Sequence, residues 1–478
     1  MAIARVKIGQ ERASLASNSL IPADLAASIE SQAGATIDAI VLRGGGGASR
    51  LGAEVTLRRA DGTTQPCYLS YDTRTADPKR MPHYRREVAV LRALSADLAN
   101  SGVKVPAYVA HEPAHLAILC SMVPGADRFD AAGDKGDLAA QLAKLHAIDT
   151  ASLTLDGFDD PAIPPSQRVK AKVAEWRKLH MAGTPDPVLI LALDWLAANV
   201  PADDGPSVLL HGDAGPGNFL HSDNRIGAMI DWELTHYGDP HEDLAQCWVR
   251  SLFQPFVGMR DFTDAYARAS GRVVDVDRLK FYRLFFQMSF ITPGHAGIHA
   301  VGGGAEVALM GMGLVFHTAH MRVIVQSLAE LTGQTLIDAR LPEVPAAWID
   351  KSFEAALADL RNHIVPRVAD QQAAAKAKSL ARLVKYWQRR ERYGAAFDRI
   401  ERESIGKLLV GEFEDGPTAR RALAKALVEG RIGRKLALQQ CHERMMRDTF
   451  LMAEGMGAFA TCYFPPFDGD GTQASTAR

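Results

Sequence analysis

Long apolar segments are missing from this chain. No window of the sequence approaches the ~18 apolar residues that a helix needs to cross a bilayer. The first residues also lack the continuous apolar stretch of a secretory signal. The richest apolar stretch, Val307 to Phe316, is broken by glycine and followed by His317 and His320, which predicts a buried helix. We therefore expect a cytoplasmic protein without a membrane partner.

Excess charge and paired cysteines are absent too. The 54 lysines and arginines nearly balance the 56 aspartates and glutamates, which leaves a formal net charge of -2. A chain without a basic excess is not expected to bind nucleic acid. The five cysteines are widely spaced and contain no Cys-x-x-Cys pair. They predict free thiols in a reducing cytoplasm.

The length and the pattern of the chain predict several structural units. A chain of 478 residues exceeds what one core usually fills, and 47% hydrophobic residues suffice for proper cores. Strand-like patterns give way to helical ones near residue 124, and a proline-bearing linker, Leu341 to Pro345, precedes a wholly helical pattern. We predict an N-terminal lobe (1–123), a second lobe (124–340), a helical domain (346–467) and a disordered tail (468–478).

The N-terminal lobe has the pattern of an antiparallel sheet with one packed helix. Three strand-like runs are separated by a tetraglycine turn and by an Asp-Gly hairpin signal. A helical pattern follows, in which Val88, Leu91 and Leu94 share one face. The predicted strand runs are 38–42, 53–57, 67–71, 105–109 and 116–123.

The segment from Leu209 to Asp231 carries the residues that indicate chemistry. An apolar strand leads to a loop with Asp213 and Asn218, and a second apolar strand leads to Asp231. Phosphoryl transfer needs a carboxylate that orients and deprotonates the attacking hydroxyl, and oxygen ligands for magnesium. These three side chains supply both. The glycines and proline between Asp213 and Asn218 suit a tight loop that turns both side chains toward one point.

These residues resemble the aminoglycoside phosphotransferase and choline kinase superfamily, whose catalytic loop reads His-Gly-Asp, four residues and Asn, with a metal-binding aspartate on the next hairpin. The resemblance covers about residues 30–335. It implies that Asp213 is the catalytic base and that Asn218 and Asp231 bind Mg²⁺, with ATP as the phosphoryl donor. It also implies an α+β, two-lobed protein-kinase-like fold, with an antiparallel N-lobe sheet, a helical C-lobe and an appended all-α domain.

The resemblance places a nucleotide between the two lobes. The glycine-rich run 45–52 lies between two strands, where backbone N–H groups could cradle phosphates. The run 119–125 is similar to the hinge whose backbone groups bind adenine. The candidate nucleotide-binding residues are Gly46, Gly47, Ser49, Arg50, Glu87, Cys120 and Ser121.

One position departs from the family pattern. Glu87 matches a helix glutamate that pairs with a strand lysine or arginine on the ATP phosphates, but Ser70 stands where the family has that basic residue. Either Arg74, Lys79 or an N-lobe arginine such as Arg50 takes its place, or the phosphate contacts are unusual. The alternative for Glu87 is a solvated position on its helix.

The acceptor is predicted from a narrower resemblance. The Asp-Trp-Glu and Gly-Asp-Pro spacing is similar to kinase domains joined to certain acyl-CoA dehydrogenases, which implies a hydroxyacyl-CoA or a related hydroxylated small molecule as acceptor. Segment 346–465 resembles a helical domain that accompanies bacterial kinases of this branch as a separate subunit. Its basic residues could contact CoA phosphates, or simply form a solvated helix face. A homodimer is possible.

Three other functions compete with this hypothesis. An aminoglycoside or macrolide phosphotransferase would need an acidic acceptor cleft for a polycation. A pseudokinase is suggested by Ser70. A zinc hydrolase is suggested by the short spacing of histidines and carboxylates, although one His-x-x-x-His pair, His295 and His299, lies far away without an adjacent carboxylate. The candidate zinc ligands of that last hypothesis are His211, Asp213, His221 and Asp231.

Overall fold

The computed structural model describes residues 20–43, 50–72, 78–127, 135–222, 225–254, 258–299 and 307–468. Within these ranges, no helix combines the length and the hydropathy that a bilayer crossing requires.

Five antiparallel strands form the N-terminal sheet, in the order β1-β2-β3-β5-β4. Burial alternates along β2, where Ala53, Val55 and Leu57 point into a core and their neighbours point outward, as expected for a strand with one covered face. The antiparallel sheet predicted from the sequence is confirmed. The strands are β1 (Thr36–Arg43), β2 (Leu51–Arg58), β3 (Thr64–Tyr71), β4 (Tyr108–Glu112) and β5 (Ala117–Ser121).

A helix covers each face of this sheet. Helix α1 (Ala23–Ala33) buries Leu25 and Ile29 in a core shared with the inward residues of β2. Helix α2 (Met81–Ser95) buries Val88 and Leu91 in the larger core on the other side. Since α2 faces the second lobe, its polar residues are placed beside the cleft between the lobes.

The second lobe is mainly helical and contains two small hairpins. Strand β6 (Val208–Leu210) pairs with β9 (His236–Gly238), and β7 (Phe219–Ser222) pairs with β8 (Arg225–Met229). All three residues of β6 are buried, so the loop that follows it starts from a fixed point. The helices are α3 (Lys135–His146), α4 (Pro165–Ala182), α5 (Pro187–Ala198), α6 (Pro240–Arg250), α7 (Met259–Ser270), α8 (Val276–His299) and α9 (Val307–Thr332).

Four further helices follow in the described part of the chain, and the last three of them pack against this lobe. Their residues Leu427, Leu438 and Met445 belong to the same hydrophobic core as α5 and α8. A buried ion pair adds to the contact, with Arg444 donating to both carboxylate oxygens of Asp186 at 2.7 and 2.9 Å. The helices are α10 (Asp350–Asp359), α11 (Gln371–Leu409), α12 (Gly416–Val428) and α13 (Arg434–Met456).

The sequence-based architecture agrees with this arrangement: an antiparallel N-lobe sheet, a helical C-lobe and additional C-terminal helices. The apolar stretch from Val307 to Phe316 is the start of α9, as predicted. Most of the predicted tail lies outside the described residues. Asp468, its first residue, forms an ion pair with Arg260. The domain boundaries themselves stay predictions.

Candidate active site

The loop after β6 has a backbone that requires glycine at one point. Gly212 has φ +85°, and a Cβ there would lie 1.9 Å from the carbonyl oxygen of Leu234. That approach is possible only without a side chain. The bend at Gly212 turns the chain so that Asp213 leaves the strand and enters the cleft side of the lobe.

Two buried acceptors on α6 hold this loop. The Asp243 carboxylate accepts the N–H groups of His211 at 2.8 Å and Gly212 at 3.0 Å, and the Gln246 side chain accepts that of Ala214 at 2.8 Å. The Asp243 carboxylate also lies 3.0 Å from Nε2 of His146. Buried amides and carboxylates that satisfy one another fix a loop in one conformation.

His211 links the two segments of the site. Its Nε2 lies 3.0 Å from the carbonyl oxygen of Ile230, the residue before Asp231. Burial lowers the pKa of His211 to about 4, so the ring is neutral near pH 7 and its Nε2–H donates to that carbonyl. The contact suits a bracing role better than acid–base chemistry.

Asp213, Asn218 and Arg250 form one connected cluster. A single Nη of Arg250 lies 2.7 Å from each carboxylate oxygen of Asp213. The Asn218 side chain donates to an Asp213 carboxylate oxygen at 2.8 Å and accepts from Arg250 at 3.2 Å. Arg250 also donates to the carbonyl of Pro216 at 2.8 Å. The guanidinium therefore fixes both ends of the loop.

The environment shifts the acid–base behaviour of Asp213. Burial raises the pKa of its carboxyl to about 6, although Arg250 acts in the opposite direction. The charge of Asp231 adds to the increase in pKa. A carboxylate with a pKa near 6 is a stronger base than an ordinary aspartate and is still ionised at pH 7.

Asp231 has an unusual backbone. Its φ of +67° is in the left-handed region, which costs a residue other than glycine about 1–3 kcal/mol. Burial, followed by the charge of Glu233, raises its pKa. Such strain persists where the surrounding structure enforces it, often at functional sites. The N–H of the preceding Ile230 donates to the Asn218 carbonyl at 2.9 Å, which ties the two candidate metal ligands together.

The partner of Glu87 is Arg50. The two side chains form an ion pair of 2.8 Å, each only 10% exposed. A second Arg50 nitrogen lies 3.9 Å from Glu233, on the turn after Asp231. The hypothesis of a solvated Glu87 is therefore wrong, because this residue of α2 is buried and paired with Arg50. Ser70 lies in β3, paired in register with Gly52.

Of the other predicted nucleotide-binding residues, only Cys120 and Ser121 lie within the described ranges. Gly46, Gly47, Ser49 and Arg74 lie outside the described residues. Cys120 is buried near Glu87, and burial followed by that charge raises the pKa of its thiol to about 12. The backbone N–H of Ser121 donates to the Ala107 carbonyl at 2.8 Å, so this amide is engaged within the lobe.

Sequence reasoning missed Arg250, although a signal was present. Asp243, Gln246 and Arg250 recur at intervals of three and four, which places them on one face of α6. The first two hold the loop backbone, and the third holds the carboxylate. The zinc hypothesis for this loop gains no support, because within the described ranges its histidines and carboxylates do not converge as a ligand set.

Comparison with known proteins agrees with this geometry. Residues 52–282, just under half of the chain, match the model of the phosphotransferase enzyme family (APH). A Ralstonia eutropha protein provisionally described as an aminoglycoside phosphotransferase has the same fold, with a TM-score of 0.50 and 18% identity over 65% of this chain and 97% of that protein.

Two curated relatives have the same name, acyl-CoA dehydrogenase family member 11. The Rattus norvegicus protein is 29% identical over 245 residues, which are 47% of this chain and 30% of that protein. The Homo sapiens protein is 34% identical over 108 residues, 22% of this chain and 13% of that protein. The match spans less than a third of these relatives. Residues 52–282 of this chain are therefore similar in sequence to the phosphotransferase enzyme family (APH).

Proposed function

We propose that this protein transfers the γ-phosphoryl group of ATP to a hydroxyl group of a small molecule, with Asp213 as the base and with Mg²⁺ bound by Asn218 and Asp231. The observation that supports this most strongly is the cluster of Asp213, Asn218 and Arg250 beside Asp231, whose backbone is strained. A carboxylate base next to a second carboxylate and an amide is the set that phosphoryl transfer requires.

The residues present fit a magnesium ion. The Asp231 carboxylate and the Asn218 side-chain carbonyl are oxygen donors of the type that Mg²⁺ prefers. Burial and Glu233 make the ionised form of Asp231 costly, and a bound cation would relieve that cost. Magnesium, when bound, neutralises charge that develops on the phosphates.

Each residue then has a defined task. Asp213 accepts the proton of the acceptor hydroxyl as its oxygen forms a bond to the γ-phosphorus and the bond to the ADP oxygen breaks. Arg250 holds Asp213 in one orientation and favours its ionised form. Glu87 orients Arg50, whose guanidinium would contact the ATP phosphates in place of the family's strand lysine or arginine. This assignment weakens the pseudokinase hypothesis, which rested on Ser70.

We propose a hydroxyacyl-CoA thioester as the acceptor. The relatives named above are called acyl-CoA dehydrogenase family members, and a cavity of about 320 Å³ in this protein is suited to an anion. It lies between α9, α11 and the end of α13, and its basic lining residues are Lys378, Arg382 and Lys385. The cavity also has one acidic lining residue, Glu454, whose carboxylate pairs with Arg389.

A series of contacts leads from this cavity to the candidate base. Phe459 lines the cavity, and its ring lies 5.2 Å from that of Phe253. The N–H of Phe253 donates to the carbonyl of Arg250 at 3.0 Å, and Arg250 contacts Asp213. A thioester whose nucleotide end occupies the basic cavity would extend along these rings toward Asp213. A polycationic aminoglycoside would be repelled by the same lysines and arginine.

Acceptor-stimulated ADP release tests both proposals. With Mg²⁺ and ATP, we expect release with hydroxyacyl-CoA thioesters, little with aminoglycosides, and none from Asp213→Ala. The double variant Lys378→Gln with Arg382→Gln should raise the KM for the thioester and leave the KM for ATP unchanged. Lys407→Gln is the matched control, because Lys407 is an exposed lysine on the same helix.

The possible outcomes separate the two claims. Release with some other alcohol, lost in Asp213→Ala, would remove the thioester and retain the kinase. Nucleotide binding without turnover on any acceptor would favour the pseudokinase.

A further inference from the structure

Three histidines from two helices converge at the end of α8. His295 and His299 lie one turn apart on α8, and His317 faces them from α9. One ring nitrogen from each of the three lies within 4.8 Å of the other two. The sequence shows only the pair on α8, and the fold supplies the third member.

The hydrogen bonds of His295 direct a lone pair into this cluster. Its Nε2 lies 3.1 Å from the carbonyl oxygen of Thr184, so Nε2 carries the hydrogen and donates it. Nδ1 of the same neutral ring then has a lone pair, which accepts the Nε2–H of His317 at 3.1 Å. A metal ion bound by both nitrogens would replace that hydrogen. A carbonyl that fixes the tautomer of a histidine in this way is the usual outer partner of a metal ligand.

The spacing matches tetrahedral coordination. Two nitrogens that each lie about 2.0–2.1 Å from Zn²⁺ at a tetrahedral angle are about 3.3 Å apart. The 3.1 Å between His295 and His317 is close to this value. His299 is exposed, so rotation of its side chain can bring a ring nitrogen within coordination distance of the metal. A water molecule can then occupy the fourth coordination position.

The three histidines are in the neutral form, which binds metal ions and does not form ion pairs. Burial lowers the pKa of His295 to about 4 and that of His317 to about 3, and it also lowers the pKa of His299. All three rings are therefore neutral near pH 7, and neutral imidazole is the ligand form. The charges that act on His299 are mixed, with Asp186 and Asp448 opposed by Arg420 and Arg444.

We propose that His295, His299 and His317 bind a transition-metal ion, Zn²⁺ in the first place, that joins the end of α8 to α9. The last turns of α8 contain Pro293, Gly294 and Gly297, which are poor helix formers. A metal held by residues one turn apart stabilises such a helix end. Imidazole nitrogens favour Zn²⁺ over Mg²⁺, so the site is separate from the proposed kinase magnesium site.

Zinc titration of the full-length protein tests this proposal. After chelator treatment, competition with a chromophoric chelator should show one tightly bound Zn²⁺ per chain. His299→Gln and His317→Gln should each weaken binding at least about tenfold. His442→Gln is the matched control, because His442 is a partly exposed histidine that contacts Asp338 on another part of the chain. This variant should bind Zn²⁺ like the wild type.

A second readout does not depend on affinity. Zn²⁺ should raise the Tm of the wild type and of His442→Gln, and not that of His299→Gln, whose exposed side chain is not needed for folding. Mg²⁺ alone should not reproduce the shift. Absence of zinc binding in the wild type, unchanged binding in both cluster variants, or an equal loss in His442→Gln would each overturn the proposal.

Discussion

Arg250 contacts both carboxylate oxygens of Asp213 through a single nitrogen, at 2.7 Å each. The pair is partly buried, with side chains 24% and 14% exposed. The guanidinium holds the carboxylate in one orientation and opposes the burial that raises its pKa. Arg250, at the end of α6, thus sets the orientation and favours the ionisation of Asp213, which lies on a loop 37 positions earlier in the chain.

Arg250→Gln is expected to lower kcat by about 10- to 100-fold, because Asp213 loses its orientation and is less readily ionised. The Kd for Mg-ADP should change little. Steady-state kinetics and nucleotide titration measure the two effects. Arg268→Gln, an exposed arginine in the last turn of α7, is the control and should retain wild-type kcat. A variant of Arg250 with unchanged kcat would contradict the role given to this contact.

Asp213→Ala and Asp231→Ala should fail in different ways. Loss of the base at Asp213 should lower kcat by about 10²–10⁴-fold and leave nucleotide affinity intact. Loss of the carboxylate at Asp231 should also weaken nucleotide binding, and only when Mg²⁺ is present. Calorimetric titrations of ADP with and without Mg²⁺ distinguish the two. An active Asp213→Ala enzyme would refute the mechanism.

The Arg50–Glu87 pair predicts a pH dependence of nucleotide binding. Burial, opposed by Arg50, raises the pKa of Glu87 to about 7. As the pH falls through that value, Glu87 becomes protonated and no longer holds Arg50. The affinity for Mg-ADP should then fall by up to about tenfold per pH unit. The reason is that the nucleotide binds the form in which Glu87 is ionised and holds Arg50, so protonation of Glu87 opposes binding.

Glu87→Gln provides the matched comparison, since its side chain does not titrate. We expect its affinity for Mg-ADP to be weak and constant between pH 6 and about 8.5, the range in which a group with a pKa near 7 changes its charge. Changes in the protonation of the nucleotide affect both proteins equally. Parallel profiles in the two proteins would show that Glu87 is not the titrating group.

The loop from Asp213 to Asn218 and the position of Asp231 could be predicted because local spacing defines them. The basic residue that replaces the family's strand lysine or arginine could not be predicted. Arg50, Arg74 and Lys79 were equal candidates, because the sequence does not show which side chain crosses from the sheet to α2. The structure selects Arg50 as the ion-pair partner of Glu87.

The histidine cluster is a second feature that the sequence alone does not predict. The sequence shows the pair of His295 and His299. Because no carboxylate lies beside this pair in the sequence, it does not predict a metal site. The third ligand candidate lies on α9 and is brought close only by helix packing. Contacts between helices depend on which faces meet, and hydrophobic periodicity does not identify the partner of each face.

The buried contact between Arg444 and Asp186 predicts how the C-terminal helices are held. Burial would raise the pKa of Asp186, but Arg444 outweighs it and keeps that pKa far below its usual range. Arg444→Met should therefore destabilise the protein by about 3–5 kcal/mol, because it leaves a buried carboxylate without a partner. Urea unfolding at neutral pH measures the change.

The double variant separates the ion pair from the packing around it. Adding Asp186→Asn to Arg444→Met removes the uncompensated charge and preserves an acceptor for the Val188 N–H, which Asp186 caps at 2.9 Å. The double variant should be more stable than Arg444→Met alone, because the penalty arises from the unpaired charge and not from the loss of contact area. Strictly additive losses would show that the two residues act independently. In that case the shared hydrophobic core, and not this ion pair, would hold the C-terminal helices on the lobe.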